Sequence, residues 1–452
     1  MHRSTIPALF LGVLLAVPAS AQDTTQPRTL SLDQALALAN ESNAGLRAVR
    51  QRVEEAERRN RVVFSNFLPR VSTMGGYLGS DNTRGILLPA GSMGNVPGLG
   101  PFPPADRNIP QGGSSIGFAV TTLTQPVTQY FKIREGMGVS RADESVSRAE
   151  VRRVEQQVAF GVLRAYAGLL IAERRRDAAR ERVEAATART TIQNTAVQSG
   201  IATQIASSEG RLRVLQARQE LLAAENELID LTYALSDAIG LSQGTKLVVE
   251  APPPLTGAPS GTADEYLASA LRSHPDILEA EAIVSKATHG VGAAKTDFIP
   301  SVGLFGSHFY QSSIPFFPKN TLFFGAIGSV TILDFGARRN TLAERNAQLA
   351  AAQRNLERVN GKVRGEVEAA YRKLGPAMEM VALAREALTL RAEALRLRTV
   401  STTAGYGVPA EQREASADKM DADLNVLKAE LGYRIAVAEL EMAAGRLGGN
   451  AR

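Results

Sequence analysis

Apolar positions recur along this chain in two periods, and where one gives way to the other the elements can be read. Leu349, Ala352, Leu356, Val359, Val363, Val367, Ala370 and Leu374 step by three and four, and Val151, Val154, Val158, Val162, Ala165, Leu169 and Ala172 do so earlier. Such a stripe is the seam of a helix packed against partner helices. Elsewhere the period is two. Leu322, Phe324, Ala326, Gly328, Val330 and Ile332 alternate with smaller or polar residues, and Ile116, Phe118 and Val120 share one face of an earlier segment, so both stretches are predicted strands.

The order of elements occurs twice. Leu36, Asn43, Leu46 and Phe67-Leu68-Pro69 are answered by Leu267, His274, Ile277 and Phe298-Ile299-Pro300, at a displacement of 231 (298 minus 67). Tyr166, Gly200 and Gly240 are answered by Tyr371, Gly405 and Gly445 at 205 (371 minus 166), so the first half holds 26 additional residues. They fall in the Pro/Gly-rich stretch 86–113, whose composition suits a loop and no helix or central strand.

Each half is predicted to contain a helix, a β-hairpin and a long helical hairpin. Ser31 N-caps the first helix, and its counterpart spans about Ala263 to Thr296. The first repeat covers 22–250, with its β-hairpin at about 70–127 and its helical hairpin at about 134–240; the second covers 263–446, with the corresponding parts at about 301–333 and 337–445. A Pro-rich linker, 251–262, separates them, and 447–452 is a tail. A helix from Arg134 to Gln198 would extend about 100 Å. Gly375-Pro376 predicts a bend or break in the second long helix.

Four strands cannot close a membrane barrel, because edges exposed to hydrocarbon leave backbone groups unpaired. Three copies would supply twelve strands and twelve long helices side by side. The expected fold is therefore mainly α with a small β part: duplicated half-repeats whose four strands join a shared twelve-stranded trimeric barrel.

Residues 1–21 read as a signal peptide, with an apolar run from Ile6 to Val17 before Ala19-Ser20-Ala21. After it no run of about 18 apolar residues appears, and the chain has no cysteine for disulfides, thiolates or lipid attachment. Basic residues number 51 against 46 acidic, interleaved as in Glu173-Arg174-Arg175-Arg176-Asp177, which is a solvated helix face and argues against nucleic acid. Gly113-Ser114-Ser115-Ile116-Gly117 matches G-x-S-x-G but enters a strand, and His2, His274, His289 and His308 are the only histidines. No metal, phosphate or dinucleotide motif is present, so neither enzyme activity nor a cofactor is expected.

The segment Leu30-Ser31-Leu32-Asp33-Gln34-Ala35-Leu36-Ala37-Leu38-Ala39-Asn40-Glu41-Ser42-Asn43 resembles the opening signature of the TolC family of outer membrane factors. Phe67-Leu68-Pro69 and Phe298-Ile299-Pro300 resemble its helix-to-strand entries, and Leu333-Asp334-Phe335-Gly336 its strand-to-helix exit. The resemblance covers nearly the whole mature chain. Two departures stand out: Ala44 occupies a position where proline is common, and Gln129-Tyr130 replaces the usual Asp-Gly exit.

The resemblance implies a homotrimer in the outer membrane, in contact with its lipid, with a large periplasmic helical tunnel. It also implies export of small molecules or polypeptides from a tripartite efflux or type I secretion assembly. Its partners would be a periplasmic adaptor (membrane fusion) protein and an inner-membrane pump of resistance-nodulation-division, ABC or similar type. A periplasmic coiled-coil adaptor or scaffold is the alternative, and the Tyr166/Tyr371 repeat speaks against it.

Gly200 and Gly405 are expected to end helices at the periplasmic tips. By resemblance, Gly200-Ile201 and Gly405-Tyr406 contact the adaptor, and acidic residues past the second tip constrict the tunnel entrance. Glu411 and Glu414 fit that place, about one turn apart, with Glu209 a third candidate. Crowded carboxylates attract cations and resist closure unless counter-charges intervene. Phe305, Phe309, Phe316, Phe317, Phe323 and Phe324 around the second hairpin suit a lipid-facing band.

Overall fold

The computed structural model describes residues 28–79, 85–110, 115–242, 244–245, 247–253, 255, 260–314 and 317–448. The expected signal peptide, Phe316, Gly113, Ser114, part of the linker and the last residues of the tail lie outside them. In chain order the elements are β1 (Arg28–Leu30), α1 (Leu32–Ser42), α2 (Ala44–Ser65), β2 (Arg70–Gly79), β3 (Gly85–Leu88), β4 (Asn95–Val96), β5 (Gly100–Pro101), β6 (Arg107–Pro110), β7 (Ser115–Pro126), α3 (Gln129–Gln198) and α4 (Gln204–Ala238). There follow β8 (Leu247–Val249), α5 (Ala263–Ser273), α6 (Pro275–Thr296), β9 (Ser301–Gln311), β10 (Asn320–Ser329), α7 (Ala337–Thr403) and α8 (Pro409–Ala443).

Local chemistry explains most boundaries. Ser31 Oγ accepts from Gln34 N–H while Gln34 Oε1 accepts from Ser31 N–H, a capping box that starts α1, and Thr262 with Glu265 repeats it at α5. The single helix expected over 263–296 is two helices. Pro275 disfavours helical backbone at His274, which sits at φ −64°, ψ 127° and caps α6. The first half breaks at the equivalent Asn43 with no proline: its backbone is equally extended, and its side chain donates to the Ala238 carbonyl at 2.9 Å.

Three further expectations are corrected. Helix α7 continues through Pro376, so no break occurs there; a lone proline forfeits one backbone bond, and the rest of a long helix persists around it. Helix α3 starts at Gln129, and β10 stops at Ser329, short of Val330 and Ile332. After β10, Asp334 accepts from the N–H groups of Gly336 and Arg338, and Phe335 and Gly336 both take positive φ, turning the chain into α7.

The chain forms two compact units. The first comprises Met1–Asn43, Gly161–Thr256 and Leu383–Lys428. Here β1 and β8 form a parallel pair, and Leu30, Tyr166, Leu169, Leu235 and Ile239 are all buried. The second comprises Ala44–Phe160, Gly257–Ala382 and Ala429–Arg452. Its helical core packs Tyr266 and Ile277 against Val359, Val363, Val367 and Leu440.

The second unit also holds an antiparallel four-stranded sheet in the order β10-β9-β7-β2. The Pro/Gly-rich loop between β2 and β7 carries two short ribbons, β3 with β6 and β4 with β5. Directly paired residues share a face of a sheet. The register therefore divides the phenylalanines: Phe324 pairs Gly306 on one face, while Phe305, Phe309 and Phe323 pair Gly325, Thr321 and Ser307 on the other. They cannot form one lipid-facing band, because their odd and even positions point oppositely.

Candidate functional site

Both candidate tips lie in the first unit and share one geometry. At the α3–α4 turn Gly200 has φ +73°, its N–H donates to Val197 O, and Ile201 N–H donates to Ala196 O. At the α7–α8 turn Gly405 has φ +85°, donating to Thr402 O, and Tyr406 N–H donates to Ser401 O. This is the Schellman arrangement, which requires the left-handed backbone that glycine adopts without strain. It leaves Ile201 84% and Tyr406 76% exposed, two large apolar side chains at these turns.

Helix α8 carries the expected acidic residues, and the structure supplies partners that sequence reasoning missed. Glu411 pairs with Arg398, and Glu414 takes both carboxylate oxygens to Arg189 Nη1 at 2.8 Å. One heptad on, Asp418 pairs with Arg391 at 2.7 Å and Asp421 with Arg182. Glu411 and Asp418 are thus zipped to α7, while Glu414 and Asp421 are zipped to α3, each row repeating every seven residues on both partners. Arg413 adds a pair with Glu184 at 2.7 Å. The hydrogen bond from Arg182 to Asp421 holds that guanidinium pKa above its ordinary value against the opposing effect of burial.

The heptad spacing of Arg182/Arg189 and Arg391/Arg398 was the available signal. Read beside Glu414/Asp421 and Glu411/Asp418, it predicts two antiparallel charge zippers. A groove of about 550 Å³ runs between these helices, lined by Arg189, Arg391, Arg398, Glu411, Glu414 and Asp418. Glu209 stands apart: it is exposed on α4, and its side chain makes no ion pair or hydrogen bond among the described residues. Exposed pairs such as these are worth about 0.2–1 kcal/mol each, enough to bias a conformation and too little to lock one.

The second unit contains another polar cluster. Arg153 Nε donates to Asp276 at 2.9 Å and also pairs with Glu279, and Lys362 lies 3.2 Å from Asp276. Burial pushes the Asp276 carboxyl up, but hydrogen bonds from Arg153 and Lys362 outweigh it and leave the pKa below its usual value. His274 Nδ1 accepts from Asp276 N–H, and burial depresses the imidazole pKa.

The hydrolase-like serine motif has no elbow, since Ser115 begins strand β7. Among the described residues no group of three or more His, Asp or Glu is placed to hold a metal ion, and no helix is long and apolar enough to cross a membrane.

Comparison with known proteins follows both halves. The outer membrane efflux protein family model matches residues 35–241 and 266–446. The chain is similar to the outer membrane efflux protein BepC of Brucella suis biovar 1 (strain 1330), 23% identical over 336 residues, which are 72% of this chain and 71% of that protein. In fold it resembles the Campylobacter jejuni CmeC outer membrane channel, with a TM-score of 0.75 and 17% identity over 92% of this chain and 86% of that one. The open state of the Neisseria gonorrhoeae MtrE outer membrane channel gives a TM-score of 0.68 and 18% identity over 92% and 88%.

Proposed function

The chain belongs to the outer membrane efflux protein family, and on that premise we propose that it assembles as a homotrimeric duct delivering cargo from a tripartite export assembly. It is an outer-membrane efflux channel and not an enzyme. The carrying observation for the trimer is the sheet order β10-β9-β7-β2, which leaves β2 and β10 as ten-residue edges without a partner among the described residues. In hydrocarbon an unpaired edge is untenable. Pairing β10 of one copy with β2 of the next removes every edge, and three copies make a barrel of twelve strands with a water-filled bore.

Exposed apolar seams support the same assembly. Leu215, Leu222 and Ile229 on α4, and Leu383, Leu390 and Leu397 on α7, repeat every seven residues on open surface. Such seams require partner helices, which neighbouring copies supply. In this reading Gly200-Ile201 and Gly405-Tyr406 meet a periplasmic adaptor, and an inner-membrane pump of resistance-nodulation-division, ABC or similar type provides the energy. The cargo is small molecules or polypeptides.

The α8 carboxylates form the entrance gate. Arg398 and Arg189 hold Glu411 and Glu414 within each copy and supply the counter-charge that lets three acidic helices approach; separating the pairs leaves six carboxylates around the entrance. Conductance of the purified protein in planar bilayers tests this. Cation-preferring pores are expected, with Glu411→Gln/Glu414→Gln reducing that preference. Pores unchanged by the substitutions would discard the gate, and a well-folded monomer that never inserts would discard the duct.

A further inference from the structure

All four strands of the sheet join their helices at one end. β2 and β9 begin there, fed by α2 and α6, and β7 and β10 finish there, feeding α3 and α7. Among the described residues no helix is apolar enough to cross a membrane, so in the barrel proposed above this end of the sheet is where the chain leaves hydrocarbon for water. Membrane proteins meet that boundary with aromatic rings at the headgroup level and with cations whose charge reaches the phosphates.

Both side-chain types occur at every one of these junctions, in the same order. Phe64 with Arg61 ends α2, and Phe131 with Arg134 starts α3. Phe298 with Lys295 ends α6, and Phe335 with Arg339 starts α7. In each couple the ring stands nearer the sheet and the cation three or four residues farther away, one helical turn or about 5 Å. The rings are open: Phe335 is 91% exposed, and the other three are about half exposed. Phe335 also sits at φ +50°, a backbone that Gly, Asn or Asp adopts with less strain, so the turn alone does not account for a phenylalanine there. Rings link two neighbouring junctions as well, since Phe64, Phe67, Tyr130 and Phe131 follow one another with centroids 5.0–6.3 Å apart.

Charge at this end is one-sided. In residues 60–70, 126–134, 291–300 and 330–342 the acidic side chains are Asp297 and Asp334, and both are paired, with Lys132 and Arg338. Arg61, Arg134, Lys295 and Arg339 are exposed, and their side chains make no ion pair or hydrogen bond among the described residues. A row of bare rings one turn from a row of unpaired cations is complementary to a lipid surface with negative charge at its headgroups.

We propose that this end of the barrel is a collar for anionic phospholipid. The four phenylalanines seat at the boundary between acyl chains and headgroups, and Arg61, Arg134, Lys295 and Arg339 take the phosphates of lipids with net negative charge. Three copies close the collar into a ring around the duct, in the leaflet on the periplasmic side. A zwitterionic headgroup carries its own cation and gains less.

The test uses the purified trimer reconstituted in phosphatidylcholine bilayers, with spin-labelled phosphatidylglycerol and spin-labelled phosphatidylcholine as probes whose immobilised fractions report relative affinity for the protein surface. Phosphatidylglycerol should be favoured about two- to fivefold at low salt, and the preference should shrink as salt is raised. Arg61→Gln/Arg134→Gln/Lys295→Gln/Arg339→Gln should bring it close to one, whereas Arg354→Gln, farther along α7 from the sheet, should leave it unchanged. The chain has no tryptophan, so Phe335→Trp supplies a single reporter, whose emission should be quenched by lipids brominated near the headgroup.

A native protein without the preference, a preference insensitive to salt, one that survives the four substitutions, or an unquenched tryptophan overturns the collar while the duct stands. If the four substitutions shift the ion selectivity of the pore and leave lipid preference unmoved, the cations line the bore and the collar is likewise overturned. Should that variant fail to assemble, the native salt series and the tryptophan reporter still decide. Protein that never inserts overturns the barrel and the collar together.

Discussion

The Tyr166 hydroxyl lies 2.9 Å from the Leu30 carbonyl and 2.7 Å from the Glu250 carbonyl, tying α3 to the ends of the parallel β1/β8 pair. Tyr166 is 2% exposed, and burial raises its pKa, so it remains a donor throughout the physiological range. Leu30 O also accepts from Glu250 N–H at 3.2 Å. Tyr166→Phe should keep the packing, take the hydroxyl donor from the Glu250 carbonyl and leave the Leu30 carbonyl with the Glu250 N–H alone, costing about 1–3 kcal/mol. Hydrogen exchange should accelerate in 28–30 and 247–250 while the four-stranded sheet is unaffected; unchanged exchange there would refute the tie.

Much of this architecture could be read from periodicity, and the failures have physical causes. The period-two run at Leu322, Phe324 and Ala326 located β10, because a strand of ten residues gives several alternations to count. β1 and β8 have three residues each, too few for any period, and Tyr166 was visible only as a repeat marker. The break at Asn43 had no proline to announce it, whereas Pro376 announced one that α7 absorbed. At the site, glycine chemistry located both tips. The carboxylates on α8 were legible, but their arginines lie on other helices and appear only when three heptad patterns are read together.

Gly445 ends α8 at φ +71°, and a Cβ built there would stand 2.8 Å from His274 N. In the first half Gly240 has φ +72° and approaches Ser42 O to 2.7 Å in the same sense. Gly405 has similar φ but open space around it. Gly405→Ala should therefore cost only the left-handed backbone penalty, about 1–2 kcal/mol. Gly445→Ala should add a backbone clash and lower the thermal midpoint clearly further; equal shifts would show that the close approach to His274 carries no weight.

Protonation of His274 should destabilise the second unit. Burial pushes its pKa below the ordinary 6.5, outweighing the pull of Asp276 and Glu366, while Lys362 and Arg153 act in the same direction as burial. The folded state therefore prefers the neutral ring, whose Nδ1 must accept the Asp276 N–H. The unfolded chain binds the proton more readily, so this stability is complete above pH 6.5 and is lost as pH falls below that value toward the folded pKa. His274→Asn retains a capping acceptor and removes the titration. Thermal midpoints of the native protein should fall between pH 7 and about pH 5 more steeply than those of the variant; parallel curves would exclude His274.

The apolar seams make a separate claim about assembly. Leu390 is 66% exposed on α7 and Leu222 62% exposed on α4, yet each sits in a row of like residues. If neighbouring copies cover them, Leu390→Glu or Leu222→Glu places a charge in a buried seam and should release monomer on unheated detergent gels. Glu at the solvent-facing Arg354, which is 81% exposed at the side chain, should not. Equal trimer yield from all three variants would leave the seams without a partner helix in the assembly.

The gate admits a charge-swap test that separates pairing from charge. Arg189→Glu and Glu414→Arg each set like charges face to face at a contact now 2.8 Å long, and each should favour the open entrance. The double variant restores the pair in reverse and should return conductance toward the native level while leaving the total charge unchanged. With about 0.2–1 kcal/mol per exposed pair, two gate pairs in each of three copies amount to about 1–6 kcal/mol, which spans the range between a flickering and a largely closed entrance. The effect should shrink at high salt, where exposed pairs are screened. A double variant as open as either single one would mean that these pairs do not hold the entrance, whatever its carboxylates do to passing ions.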